Sequence, residues 1–222
     1  PIFEMKAKNL IGWILLFALV LACFSVPVGA TELLYDSNSN PISFRWYDVS
    51  NRVAQLKVND DNLSSFYTSA FVTGYNAWQT AVPDRVKVIK TDFSSSHIDF
   101  STGSTSWWNS SFGADAHNIY GYSMLTTTDG VQINNVGIEQ AKNSSKRIEY
   151  AGIVLTPYTN DFADYDQPDY TIVHETGHAL GLGHSDDGPD YTYEYSVMCS
   201  YYEDAISWRP QAYDKSEIRR KY

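Results

Sequence analysis

The stretch HETGHALGLGH, residues 174–184, places three histidines and one glutamate at spacings that predict a metal site. On a helix, His174 and His178 are four residues apart and project from one face, so both imidazoles can reach one ion about 2 Å from each ring nitrogen. Gly181 lets the chain leave the helix sharply, and His184 then supplies a third nitrogen. A chance match to all five specified positions has a frequency on the order of one in 10⁵ for a chain of this length.

The glutamate inside this stretch predicts what the metal is used for. Three nitrogen ligands leave one position of a tetrahedral ion open, which is typical of a catalytic zinc site and not of a structural one. Glu175 lies beside the first ligand, where its carboxylate can hold a metal-bound water and accept its proton as the water attacks a carbonyl. The sequence thus predicts Zn²⁺ as cofactor, Glu175 as general base, and amide hydrolysis; the ligands are His174, His178 and His184.

The same residues carry a family resemblance, because HETGHALGLGH fits the HExxHxxGxxH signature and resembles the metzincin metalloproteases. A methionine turn follows in that family, and Tyr195-Ser196-Val197-Met198 is similar to it. The resemblance implies that Met198 is a hydrophobic floor beneath the zinc and not a ligand. Ser185 and the closing residues 210–222 are similar to the catalytic domain of small bacterial matrixin-like enzymes. The implied metzincin fold has a twisted mixed β-sheet, an active-site helix, the Met-turn and a C-terminal helix.

The chain also departs from the metzincin pattern in several places. No PRCGxPD-like cysteine switch precedes the domain, so latency by a thiolate on the zinc is not expected. Astacins and serralysins have a zinc-binding tyrosine two residues after the methionine; here that residue is Ser200, and Tyr201 is assigned only a place near the substrate pocket. A Ca²⁺ ion is left open as a second cofactor, although no EF-hand spacing is present; its candidate ligands are Asp161, Asp164, Asp166 and Asp169.

The first thirty residues predict export. Basic Lys6 and Lys8 precede an apolar run over residues 10–23, which is shorter than the ~20 residues of a membrane span. Small residues at 28–30 indicate cleavage after Ala30, giving a secreted protein. A lipoprotein-like box ending in Cys23 is the alternative, and it would anchor the enzyme to a membrane surface. The expected division is 1–30 for upstream residues plus signal peptide and 31–222 for the zinc metalloprotease catalytic domain.

Composition narrows the partners of the exported part. Without Lys6, Lys8 and Glu4, it carries 14 basic and 25 acidic residues, a net charge of −11, which makes nucleic acid an unsuitable partner. Cys199 is its only cysteine, so an intrachain disulfide is excluded. With 43% hydrophobic residues and no repeat, the chain is expected to form one domain and to act as a monomer.

Hydrophobic patterning predicts an α+β fold with a mixed sheet. The helices are expected at residues 66–82 and 169–182, and the strands at 41–47, 86–89, 97–100, 120–126, 131–138 and 148–156. By the family resemblance, an extended peptide substrate pairs antiparallel with the edge strand of the sheet, and residues 120–126 are the candidate for that strand.

The predicted function is therefore a secreted zinc-dependent endopeptidase with Glu175 as general base. Two other functions stay open. A catalytically inactive zinc-binding surface module would keep the fold, but is expected to have lost the base. A zinc amidase on cell-wall peptides would share the metal chemistry and differ only in substrate.

Overall fold

One mixed β-sheet organises the chain. The computed structural model describes residues 46–133, 147–162, 164, 166–185, 196–199 and 207–222, so the predicted signal segment and most of the predicted strand 41–47 lie outside the described residues. The strands are β1 (Val49–Ser50), β2 (Val53–Asn62), β3 (Val86–Lys90), β4 (Ile98–Thr102), β5 (Gly121–Thr127), β6 (Gln132–Ile133) and β7 (Ile148–Leu155).

The order of the strands leaves β5 near one edge of this sheet. Strand β2 pairs with β3 on one side and with β4 on the other, β4 pairs with β7, and these four strands are parallel. Strand β5 pairs antiparallel with β7 from Gly121 opposite Leu155 to Thr127 opposite Ile148. The short β6 covers β5 only at Leu125 and Thr126. Within the described residues, the outer edge of β5 before Leu125 has no partner strand.

Two helices cover one face of the sheet and enclose the main core. They are α1 (Thr68–Ala81) and α3 (Gln167–Ala179), and the indole nitrogen of Trp78 in α1 donates to the carbonyl of Val173 in α3 at 2.8 Å. Burying each large apolar side chain there contributes about 1.5–3 kcal/mol. The largest fully buried members of this cluster are Trp46, Trp78, Tyr67, Phe71, Phe100, Leu56, Ile98, Ile148, Ile153 and Leu155.

A smaller apolar cluster lies around Trp108 of α2 (Thr105–Phe112) and includes Val154 of β7. Ser104 caps this helix by accepting from the backbone nitrogen of Trp107 at 3.2 Å. The Trp108 indole donates to the carbonyl of Ala116 at 2.8 Å. That bond anchors the loop that leads into β5.

The α+β class with a mixed sheet is confirmed, and most predicted elements are found close to their expected bounds. The helix predicted at 66–82 is a short 3₁₀ turn followed by α1, and the strands predicted at 86–89, 97–100, 120–126 and 148–156 are β3, β4, β5 and β7. The helix predicted at 169–182 is α3, which begins earlier and ends at Ala179 because Gly181 takes a positive φ of 84°. The strand predicted at 131–138 is described only as far as β6.

The N-terminal part of the sheet was predicted incompletely. The long strand β2 was missed; of the residues predicted as the first strand, Trp46 forms a single bridge to Ile148. Asn51 and Arg52, both with positive φ, form the tight turn between β1 and β2. Neither residue is glycine, so the sequence carries no hairpin signal at this turn. Helix α2 was also missed, because its serines, asparagine and tryptophans are weak helix formers.

The last helix, α4 (Ala212–Lys221), lies within the predicted C-terminal stretch. It begins with a capping box in which Gln211 and Asp214 satisfy each other's backbone nitrogens. None of the helices in the described part of the chain is long and apolar enough to cross a membrane.

Candidate active site

Helix α3 carries the histidine motif inside the protein. Pro168 occupies its first turn, where no backbone donor is needed, and Asp169 is near the positive end of the helix dipole. From Tyr170 to Ala179 every residue is buried. A buried helix that carries polar side chains needs a hydrogen-bond partner for each of them.

The three histidines converge on one point. Their Nε2 atoms form a nearly equilateral triangle: His174 is 3.1 Å from His178 and from His184, and His178 is 3.2 Å from His184. Two ligands 2.0–2.1 Å from a tetrahedral zinc are about 3.3 Å apart, so the triangle fits such an ion. Among the described residues, this is the only group of three or more histidine, cysteine or acidic side chains that could hold a metal.

Hydrogen bonds at the opposite ring nitrogens orient two of these imidazoles. Nδ1 of His174 is 3.0 Å from the carbonyl oxygen of Val197, and Nδ1 of His178 is 2.8 Å from that of Leu182. A carbonyl only accepts, so each Nδ1 carries the proton and each Nε2 presents a lone pair to the centre. Burial, together with the neighbouring histidines, lowers the pKa of His174 well below its usual value and that of His178 to about 3. Neutral imidazoles with converging lone pairs are suited to a cation.

Glu175 faces the same cleft from the next position on α3. Its side chain is only 5% exposed, and burial raises its pKa to about 7, against the opposing effects of a hydrogen bond from Ser123 and of nearby His184. The Ser123 hydroxyl on β5 donates to Oε2 at 2.5 Å. A Cβ on Gly121 would be 2.6 Å from Oε1, so only glycine lets β5 approach the carboxylate this closely.

Met198 packs against α3, the helix that carries His174 and His178. It is 2% exposed, and its sulfur would lie 2.3 Å from a Cβ built on Gly177, which is the residue before His178. The backbone nitrogen of Ser185 donates to the Met198 carbonyl at 2.9 Å. The turn is therefore tied to the residue that follows the third histidine.

An aspartate of α4 holds this turn in place. The Asp214 carboxylate accepts from the Ser196 hydroxyl at 2.6 Å and from the backbone nitrogens of Val197 and Gln211 at 3.0 and 2.7 Å. Since the Val197 carbonyl is the partner of His174, Asp214 supports the His174 ring through one residue. Burial raises the pKa of Asp214 in spite of these bonds.

The end of α4 holds the turn between the second and third histidines. Lys221 Nζ donates to the Gly181 carbonyl at 2.9 Å, and the Tyr222 hydroxyl donates to the Leu180 carbonyl at 2.9 Å. The backbone nitrogen of Trp46 donates to the same hydroxyl at 2.8 Å. Sequence reasoning missed Ser123, Asp214 and Lys221, because nothing local to any of them marks a contact with the motif.

A cleft of about 250 Å³ opens beside the triad and Glu175. Its walls come from the N-terminal half of α3, from the start of β5 and from the loop before it. Four aromatic side chains line the cleft: Phe112, Tyr120, Tyr122 and Tyr170. The four aromatic rings surround a polar centre, which is typical of a small-molecule or peptide site.

The remaining site predictions have separate outcomes. The four aspartates considered for Ca²⁺ form no metal-binding group, and Asp161 instead contacts His117 with 2.6 Å between Oδ2 and Nδ1. Cys199 is buried, and its Sγ donates to the Ser196 carbonyl at 3.3 Å. Ser200 and Tyr201 lie outside the described residues.

Comparison of the chain with protein-family models and with curated proteins gives no match. The class of the protein is therefore defined by its own fold and site: an α+β domain in which three convergent histidines can hold a metal ion beside a buried glutamate and an open cleft.

Proposed function

We propose that the protein is a zinc-dependent endopeptidase with the metzincin fold. The observation that carries the proposal is the convergence of three Nε2 atoms, 3.1–3.2 Å apart, at a cleft that also contains the Glu175 carboxylate. Three neutral nitrogen ligands with a fourth position facing a cleft favour a catalytic zinc. When bound, zinc would supply Lewis acidity, lowering the pKa of a coordinated water and polarising a carbonyl group.

Features beyond the motif support the fold assignment. The mixed sheet has an antiparallel strand, β5, beside the helix that carries the histidines, and a methionine turn packs under that helix. A C-terminal helix, α4, is bonded to the turn through Asp214. The resemblance to the metzincins implies the same kinds of element, which supports the proposal.

Glu175 is assigned the proton transfers. A carboxyl group with a pKa of about 7 is close to the working pH, so it can accept a proton from the attacking water and return it to the departing amine. The Ser123 hydroxyl donates to Oε2 of Glu175, and Oε1 of Glu175 lies next to Gly121 at the start of β5. The carboxylate is thus fixed beside the place where a peptide would bind.

The outer edge of β5 before Leu125, which has no partner strand in the described part of the chain, is assigned to substrate binding. Backbone groups on a free strand edge can pair with an extended peptide, and the cleft places that peptide beside the triad. Secretion after Ala30 and a monomeric state complete the proposal. Both rest on the sequence.

Metal content and peptide cleavage test the proposal together. The domain from Thr31 onward should contain one zinc per chain and should cleave a mixed quenched-fluorescence peptide library in a chelator-sensitive manner. Glu175→Gln should keep the zinc and lose cleavage, whereas His178→Ala should lose both. Zinc-containing protein that cuts no peptide would contradict the proposal, and activity only on cell-wall peptides would replace it with the amidase.

A further inference from the structure

Three aromatic rings form a stack that leads away from the cleft. Tyr120, which lines the cleft and immediately precedes β5, stacks on Phe162 with ring centroids 5.0 Å apart and planes inclined by 26°. Phe162 stacks in turn on Phe66, just before α1, at 5.7 Å and 11°. We call Tyr120, Phe162 and Phe66 the aromatic ladder.

Contacts around the aromatic ladder fix its rings. The Tyr120 hydroxyl donates to the Asp161 carbonyl at 3.2 Å, and the Asp161 side chain contacts His117. Tyr67 packs edge-on against Phe66 and Phe162, at 5.0 and 6.0 Å between centroids. A ligand that binds here meets rings that are already ordered, which reduces the entropy lost on binding.

The outer end of the aromatic ladder is open to solvent. Phe66 is 46% exposed, and the other exposed large apolar side chains of the described residues are Val72, Phe93 and Val131. Of these four, only Phe66 belongs to a ring stack that reaches the cleft. Its continuity with the cleft indicates a contact surface for the molecule that the cleft binds.

We propose that the aromatic ladder binds the part of a peptide substrate that follows the cleaved bond, and that the preferred substrates carry an aromatic residue there. The inference rests on the proposed peptidase function. A peptide paired antiparallel with β5 runs from the Thr127 end towards the Gly121 end. The bond beside Glu175 is therefore followed, in the direction of Tyr120, by the C-terminal part of the peptide.

The length of the aromatic ladder determines which residues of the peptide it contacts. Its two centroid separations of 5.0 and 5.7 Å match about three residues of extended chain at roughly 3.3 Å each. Tyr120 adjoins Gly121, which is next to the Glu175 carboxylate. The contacting residues are the second to fourth after the cleaved bond.

The experiment compares peptides that differ by one tryptophan. Each carries tryptophan or alanine at one of the second to fourth positions after the bond, or at the mirrored positions before it, and mass spectrometry fixes the bond cut. An aromatic contact should lower KM by about three- to tenfold for tryptophan after the bond. Because Phe66 is the outermost ring, Phe66→Ser should leave the preference at the second position, which Tyr120 contacts, and abolish the preference at the fourth. Phe93→Ser, the same change at a 50% exposed site in the turn between β3 and β4, is the matched control and should retain it.

Each outcome bears on a different statement. Cleavage with no preference after the bond, or with a fourth-position preference that survives Phe66→Ser, overturns the role of the aromatic ladder and leaves the peptidase function standing. A preference located before the bond overturns the assigned direction. Absence of cleavage in every peptide overturns the peptidase function itself, and with it the role of the ladder.

Discussion

Replacing Gly177 with alanine should place a methyl group in the closest contact between α3 and the methionine turn. The new Cβ would be 2.3 Å from the sulfur of Met198 and 3.0 Å from Cζ2 of Trp78. Non-bonded heavy atoms normally approach to roughly 3.5–4 Å, so the sulfur has to move by about 1 Å or more. Both neighbours are buried, so the added methyl group has to displace packed side chains.

Two opposing free energies determine the size of the effect. Overpacking a filled core costs about 1–3 kcal/mol. Alanine is about 1 kcal/mol better than glycine inside a helix, and Gly177 is inside α3. The net loss in the free energy of unfolding is about 1 kcal/mol, which in a domain of this size corresponds to a drop of about 2–4 °C in Tm.

A double-mutant cycle, measured by urea unfolding of the metal-free protein, isolates the contact. In a Met198→Ala background the space is vacated, so Gly177→Ala should become neutral or stabilising, by up to about 1 kcal/mol. Gly152→Ala is the control, because its Cβ meets nothing closer than Met124 at 3.4 Å. Equal effects of Gly177→Ala in both backgrounds would refute the close approach of the turn to the helix.

Three further changes test other parts of the site. Ser123→Ala removes a donor to the Glu175 carboxylate, so the pKa of Glu175 rises further and the acid limb of the kcat/KM profile should move to higher pH; a limb that stays in place contradicts the contact. Lys221→Met removes a buried hydrogen bond and should lower the free energy of unfolding in urea by about 1–3 kcal/mol, whereas no change would show that the bond is unimportant. In the Glu175→Gln protein, His174 and His178 should release no proton on metal binding between pH 6 and pH 5, because burial lowers the pKa of both rings and they are already neutral there. The pH dependence of metal affinity should therefore not exceed one proton per ion, and a slope of two or more protons contradicts it.

The helix and its histidine group could be predicted because their signals are local. His174 and His178 share a face through the period of the helix, and Gly181 ends it a few residues later. Pro168 and Asp169 mark the beginning of α3 in the same way. The sequence therefore predicts α3 and the histidine group, which the structure brings together within 3.2 Å.

The partners of the motif could not be predicted, because they depend on contacts between distant segments. Ser123 lies 52 residues from Glu175, and Lys221 lies 40 residues from Gly181. Strand β2 was missed for a different reason. Its buried positions alternate over residues 53–58, as a strand requires, before a polar end. The alternation is present in the sequence, but the turn at Asn51 and Arg52 lacks the glycine that would have marked a hairpin.

Small residues in the elements around α3 determine where the reactive groups stand. Gly121 lets β5 come within contact of the Glu175 carboxylate from one side, and Gly177 lets the methionine turn come equally close from the other. The Trp78 indole fixes the helix one turn earlier, through the carbonyl of Val173. Because a side chain at either glycine would push its neighbour away, the spacing of the histidines is necessary for the site but does not by itself place the carboxylate. The carboxylate is placed by the close approach of β5 and of the methionine turn to α3.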